Sequence, residues 1–285
     1  MSHAAQELRR LLSSDELVIA PGAYDCITAR TIEMAGFPAC YMTGSGTAAS
    51  LGYPDYGLVT MSEMAANAAR IAGAIKLPLI ADADTGFGNE LNVTRTVRAY
   101  EAAGVAALHI EDQDFPKKCG HLNNKSIIPL DEYIPKVRAA AAARRTADFV
   151  IIARTDSRAS LGLEEAIRRA NAALEAGADV AFVEAPQTLE EMAAVPRAVN
   201  GPCLLNIVYR GKTPDIAFDE AERMGYRIVI LPSILLKTVY GIGDQVLADA
   251  KRLGRHPTLP GEVGLEEGFR RVGADEWDAL RDRYR

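Results

Sequence analysis

Apolar residues fall into two alternating patterns along this chain. Short continuous apolar runs occur at 17–20, 39–42, 79–83, 107–110, 149–153, 180–183, 203–207 and 228–231. Runs of this length bounded by polar or glycine residues read as strands buried on both faces. Between them apolar positions recur at helical spacing over 24–35, 62–74, 92–103, 131–145, 163–176, 189–199 and 214–224, and an eighth such stretch opens near Ile234. A leading amphipathic helix is expected over 4–12. Gly36, Gly104, Gly177 and Gly225 stand where helical stretches give way to the next strand, the usual place for a residue that leaves the helix left-handed.

Eight strand–helix units with no flexible linker predict an α/β protein with a parallel sheet. At 285 residues, a closed (β/α)8 barrel of the TIM type is favoured. The alternative is an open, doubly wound sheet. It would call for a glycine-rich dinucleotide turn after the first strand, where the chain instead reads Ala-Pro-Gly-Ala-Tyr. The expected organisation is a single domain over 1–285: a leading helix in 1–16, the barrel over 17–252 and an arm over 253–285. The arm breaks the alternation with His256-Pro257 and Pro260-Gly261 and ends in a helix near 276–283. Its Phe269, Val272, Trp277 and Leu280 call for something to bury them.

Net charge is −6 with a pI near 5.4, which argues against nucleic acid as a partner, since that needs a concentrated basic face. No apolar run approaches the roughly 18 residues that span a bilayer. Residues 1–16 lack a signal-peptide core, so a cytoplasmic, non-membrane protein is expected. Cys26, Cys40, Cys119 and Cys203 show no metal-type spacing, and Cys40 and Cys203 lie in strand-like runs as small hydrophobes.

In such barrels, chemistry collects at the C-terminal ends of the strands. The second strand ends in Tyr41-Met42-Thr43-Gly44-Ser45-Gly46, a small-residue loop suited to close ligand approach. The third ends in Asp82-Ala83-Asp84, the fourth in His109-Ile110-Glu111-Asp112, the fifth in Arg154-Thr155-Asp156, the sixth in Glu184, the seventh in Asn206 and the eighth in Pro232-Ser233. Residues two apart on a strand face one side, so Asp82 and Asp84 form a pair. Glu111 brings a third carboxylate to the mouth. Their repulsion calls for a cation, and an all-oxygen set points to Mg²⁺, with Mn²⁺ as a substitute. His109 reads as a supporting core histidine, and Asp55 lies in a long loop of the functional kind.

After the fourth strand comes Lys117-Lys118-Cys119-Gly120-His121. Two cations and an imidazole beside a thiol are expected to favour the thiolate and lower its pKa from about 8.5. Gly120 allows a turn or a close approach.

These motifs, with Asp82-Ala83-Asp84-Thr85-Gly86-Phe87-Gly88 and Gly211-Lys212-Thr213-Pro214, run over nearly the whole chain. They resemble the isocitrate lyase/phosphoenolpyruvate mutase superfamily, and the thiol loop resembles its carbon–carbon lyase branch. The resemblance implies an eight-stranded barrel, usually a homotetramer whose eighth helix swaps between subunits. It implies a Mg²⁺ shell of Asp82, Asp84 and Glu111. Thr43, Gly44 and Ser45 would hold the 2-hydroxy or 2-oxo carboxylate, with Asp55 and Lys117 nearby and Arg154 clamping the same end. Gly120, His121 and Asn206 would bind the other carboxylate beside Glu184, with Cys119 as acid/base and Tyr41 as the group that takes the hydroxyl proton.

The implied reaction cleaves a 2-hydroxy dicarboxylate, a 2-alkylmalate or 2,3-dimethylmalate, to a 2-oxo acid such as pyruvate plus a carboxylic acid. Oxaloacetate hydrolases of the family characteristically carry serine where this chain has Pro232, and the phosphonomutases lack the cysteine, so both readings are weakened. In 2-methylisocitrate lyases a Thr-Glu-Phe-Gly stretch follows the seventh strand, where this chain has Val208-Tyr209-Arg210-Gly211. A lost carboxylate partner disfavours the tricarboxylate. Arg210 as a new clamp keeps 2-methylisocitrate as the alternative. A barrel kept as a non-catalytic scaffold would be expected to have lost part of this set.

Overall fold

The computed structural model describes residues 3–122, 125–261 and 263–285. Residues 1–234 and 235–285 form two compact units. In the first, β1 (Val18–Ala23), β2 (Cys40–Met42), β3 (Leu79–Asp82), β4 (Ala107–Glu111), β5 (Val150–Thr155), β6 (Val180–Val183), β7 (Cys203–Asn206) and β8 (Ile228–Leu231) close into a barrel in sequence order. Every pairing is parallel, β8 returning to β1 with Val18 opposite Ile228. This is the expected (β/α)8 architecture.

The first helix, α1 (His3–Ser13), turns Ala5 and Leu8 onto the barrel interior, where they join Val18, Ala20, Ile80, Val150, Phe182 and Ile228 in one cluster. It therefore stoppers the end at which strands begin and leaves the opposite end to the chemistry. Around the sheet run α2 (Cys26–Met34), α3 (Gly44–Ser50), α4 (Met61–Ala74), α5 (Glu90–Ala102), α6 (Leu130–Ala143), α7 (Arg158–Leu161), α8 (Leu163–Glu175), α9 (Leu189–Ala198) and α10 (Phe218–Met224). A second cluster fills the layer between β6–β8 and α8–α10, with Ala166, Ala170, Met192, Val195, Ala221 and Tyr226 facing Ala181, Leu205 and Val229. Cys40 and Cys203 are buried in the sheet, and burial pushes both thiols up to about 12.

The boundaries depart from expectation for identifiable reasons. β1 runs three residues past Ala20 through Pro21-Gly22, because Pro21 sits opposite Leu231. Gly22 lies so close to the Pro232 backbone that a Cβ there would overlap it. The expected helix from 214 begins only at Phe218, because 211–213 is occupied with His121. Residues 44–50, expected as a loop, form a helix.

The second unit carries α11 (Ile234–Leu253), α12 (Leu265–Arg271) and α13 (Ala274–Arg283), none with a buried residue. No described helix is long and apolar enough to cross a membrane.

Candidate active site

At the end of β2, Thr43 caps α3 by accepting from the Gly46 N–H, and its hydroxyl lies 3.1 Å from that of Ser45. The small-residue stretch is thus a helix N-terminus, poor in helix formers but capped by a hydroxyl as such ends require. Gly44 N–H donates to Asp82 Oδ2 at 3.2 Å, and an added Cβ at Gly44 would collide with that carboxylate. Asp82 Oδ1 accepts from Asp84 N–H at 2.9 Å. Asp84 itself sits at φ 46°, a strained left-handed position that turns its side chain onto Lys117.

The Lys117 ammonium, 4% exposed, lies 2.6 Å from Asp84 and 2.5 Å from Asp55. The lysine expected to touch substrate is therefore the countercharge of two carboxylates. Burial pushes the Asp84 carboxyl up to about 6 despite Lys117, and the neighbouring Asp82 adds to the rise.

A second ionic cluster is centred on Arg154. Its Nε donates to Asp156 Oδ2 at 2.9 Å and Nη2 to Oδ1 at 3.2 Å; Glu111 Oε2 lies 3.2 Å and Glu184 Oε2 3.9 Å away. The guanidinium stands 5.0 Å over the Phe182 ring. Glu184 is fully buried; burial acts to raise its pKa, but Arg154 and His121 outweigh it and hold the carboxylate ionised. His121 Nε2 lies 3.0 Å from Glu184 Oε1, and Asn206 Nδ2 donates to both Glu184 oxygens at 3.2 Å.

Lys212 N–H donates to His121 Nδ1 at 2.9 Å, so Nδ1 is the accepting nitrogen and Nε2 is the one turned toward Glu184. Gly120 closes the cluster, with no room for a Cβ against Arg154 Nη2 and Glu184 Oε1. Glu184, His121, Asn206 and Gly120 lie together, and Arg154, expected at the opposite end of the substrate beside Thr43, Gly44 and Ser45, lies with them. Asp156, Phe182 and the Lys212 backbone were missed. Asp156 had a signal, since it lies two residues from Arg154 on the same strand edge.

Three expectations are corrected. Cys119 is not biased to the thiolate: burial pushes its pKa up and Asp55 adds to the rise, outweighing the His121 backbone N–H. Lys117, two residues before it, spends its charge on Asp55 and Asp84. Tyr41 is not poised as a base, because full burial and the nearby Asp82 hold its phenol protonated. It pairs with His109 Nε2 at 2.8 Å, and burial lowers that imidazole to about 4, so the ring is neutral. Arg210 stays outside the buried cluster; it is exposed, at φ 55°, and stacks 5.3 Å over Tyr209.

The carboxylates bear on the metal question. Among the described residues no three His, Cys, Asp or Glu side chains gather into one ligand set. Lys117 engages Asp84 while Arg154 engages Glu111, which keeps the expected triad from drawing together. Among the described residues Glu111 nevertheless finds no hydrogen-bond donor for either buried oxygen. Hard, under-satisfied oxygens suit Mg²⁺, which is commonly held by one or two carboxylates and several waters. The residues fit that ion.

The phosphoenolpyruvate phosphomutase family profile matches residues 8–251. The chain belongs to the phosphoenolpyruvate mutase/isocitrate lyase superfamily. Within the superfamily, a 2,3-dimethylmalate lyase of Eubacterium barkeri is 49% identical over 232 residues, 81% of this chain and 80% of that protein. A 2-methylisocitrate lyase of Aeropyrum pernix is 44% identical over 87% of this chain and 80% of its own length.

Among solved structures, a 2,3-dimethylmalate lyase superposes with TM-score 0.95 at 43% identity, covering 100% of this chain and 96% of that one. An oxaloacetate acetylhydrolase with 3,3-difluorooxalacetate also reaches 0.95, at 41% identity over 99% and 97%. A phosphonopyruvate hydrolase in complex with oxalate and Mg²⁺ reaches 0.89 at 33% identity, covering 99% of each. This superfamily member is an enzyme of the lyase type, with curated relatives named as lyases.

Proposed function

We propose that the protein is a Mg²⁺-dependent carbon–carbon lyase. It cleaves a 2-hydroxy dicarboxylate of the 2-alkylmalate or 2,3-dimethylmalate type to a 2-oxo acid such as pyruvate and a carboxylic acid. The observation that carries this reading is the Cys119 thiol, kept protonated by burial, on a loop whose next residue packs against Arg154 and Glu184. A protonated thiol beside carboxylate-binding groups is a general acid placed to quench a carbanion.

Asp82, Asp84 and Glu111 would hold the metal, in part through water, and the metal would supply Lewis acidity at the substrate's 2-oxygen. Thr43, Gly44 and Ser45 would bind the 2-hydroxy carboxylate end. The 2-hydroxyl gives up its proton to water as the 2-oxo group forms, and breaking the C2–C3 bond leaves the electron pair on C3 of the departing acid as an enediolate, a charge that Arg154, His121 and Asn206 would meet. Cys119 then gives its proton to C3. Tyr41, being protonated, would orient His109 and Asp82 through hydrogen bonds.

Dicarboxylates are favoured because Arg210 is stacked on Tyr209 at the surface rather than supplying a third carboxylate clamp. The 49% relative named for 2,3-dimethylmalate agrees with this choice. The high similarity to an oxaloacetate acetylhydrolase does not separate the readings by fold; Pro232, where the family resemblance implies a serine in those hydrolases, argues against that reading less decisively than the thiol argues against the phosphonomutases.

A coupled pyruvate assay across 2-alkylmalates, 2,3-dimethylmalate and 2-methylisocitrate tests the proposal. Turnover is expected to be best with a dicarboxylate, and a kcat/KM for 2-methylisocitrate above every dicarboxylate would overturn the substrate choice. We also infer a homotetramer, supported by the exposure in the second unit of Leu247, Leu265, Phe269 and Trp277. Light scattering should give a mass near four times 30.7 kDa; a monomeric mass would sink it.

A further inference from the structure

Lys125 lies five residues beyond Gly120, outside every group so far given a role. Its side chain is 2% exposed, so its ammonium has been taken out of water and must find partners. It finds two. Nζ donates to the Gly120 carbonyl and, at 2.6 Å, to Asp156 Oδ1. Asp156 is the carboxylate that also holds both donors of Arg154. One ammonium therefore joins the backbone of the thiol loop to the acid that orients the substrate-clamping guanidinium.

The front of the loop is fastened separately. Gln113 accepts from Lys118 N–H at 3.0 Å and donates to its carbonyl at 2.8 Å, while Lys117 is tied to Asp55 and Asp84. Behind Cys119 the Leu122 N–H donates to the Cys119 carbonyl, His121 is held by Glu184 and the Lys212 N–H, Lys212 Nζ reaches the Leu122 carbonyl, and Lys125 alone bridges the Gly120 carbonyl to Asp156 among the described bonds. Gly120 can approach Arg154 and Glu184 only because it lacks a side chain, and a pull on its own carbonyl toward Asp156 would add to the hold that the neighbouring His121 gives the loop through Glu184. Lys125 sits where it can supply that pull.

We infer that Lys125 is a positioning residue for the proposed lyase reaction: it latches the Cys119–Gly120 backbone to Asp156 and so sets the distance between the thiol and the Arg154 end of the substrate. The inference rests on the role proposed for Cys119, but its test need not. Carbamidomethylation of each cysteine by iodoacetamide, followed by mass spectrometry on the substrate-free enzyme, reads the loop directly.

Lys125→Met keeps the stem and removes both bonds. It is expected to raise the Cys119 rate at least about tenfold, the factor that a loss of about 1.4 kcal/mol corresponds to. Cys26, half-exposed on α2, should be unchanged, and Cys40 and Cys203 should stay protected. Lys125→Arg, which can keep a donor to both oxygens, should restore most of the protection. With substrate, the Met variant should lose kcat with little change in KM, as expected for a mispositioned acid.

An unchanged Cys119 rate in Lys125→Met overturns the latch. So does a parallel rise at Cys40 and Cys203, which would mean general loosening. A selective rise at Cys119 in a protein that turns over none of the malates would keep the latch and reject the lyase reading.

Discussion

Replacing Cys119 with serine is expected to lower turnover at least about 10²-fold while KM moves far less. The thiol is already protonated at neutral pH, since burial and Asp55 raise its pKa, so it can act as the proton donor without prior activation. A serine hydroxyl fits the same space and keeps the loop, but its proton is several pK units harder to give up, and the transfer to C3 slows accordingly. The groups that would hold substrate are untouched by the change. Arg154 keeps Asp156, His121 keeps Glu184, and Lys117 keeps Asp55 and Asp84. Steady-state kinetics on the best dicarboxylate decides the matter. A serine variant running near the parent rate would reduce the loop to a cover over the mouth.

Much of this architecture was legible because period and position coincide. A parallel barrel buries its strands on both faces, so each strand shows as an unbroken apolar run, and the acids at 82, 84, 111 and 184 follow directly at the strand ends. What the sequence hid was pairing. Lys117 looked like an activator of the neighbouring thiol, yet side-chain length lets it reach across to Asp55, 62 residues earlier in the chain. Local reading counted its charge for Cys119; the fold assigns that charge elsewhere, and burial then decides the thiol.

The same limit applies to Arg210, whose guanidinium lies over the adjacent Tyr209. It applies as well to residues 44–50, where Gly and Ser suggested a loop but a Thr43 cap and burial of Thr47 and Ala48 hold a helix. Lys212 meets His121 through a backbone N–H that any residue but proline would offer, so this contact was not to be read from its side chain, which instead donates to the Leu122 carbonyl at 3.4 Å.

Stripping divalent metal with EDTA is expected to abolish turnover, with Mg²⁺ or Mn²⁺ restoring it. The reason lies in Glu111. It is wholly buried, neither oxygen finds a hydrogen-bond donor among the described residues, and its nearest cation, Arg154, is shared with Asp156 and Glu184. Burial raises the Glu111 pKa well above the usual carboxylate range, with Arg154 lowering it only in part, so a cation bound there would take the place of the proton and let the carboxylate ionise. Binding an ion there should therefore stabilise the folded chain as well as permit catalysis.

At a hundredfold excess over Kd, linkage gives about 2.7 kcal/mol, a rise of several degrees in Tm that needs no substrate to observe. Glu111→Gln keeps the shape but removes the acid that a bound cation would ionise. It should fold, lose the Mg²⁺-dependent rise in Tm, and turn over at a small fraction of the parent rate. Undiminished turnover in a metal-free sample would sink the assignment. So would an equal Mg²⁺-dependent shift in Glu111→Gln, which would place the ion on other ligands.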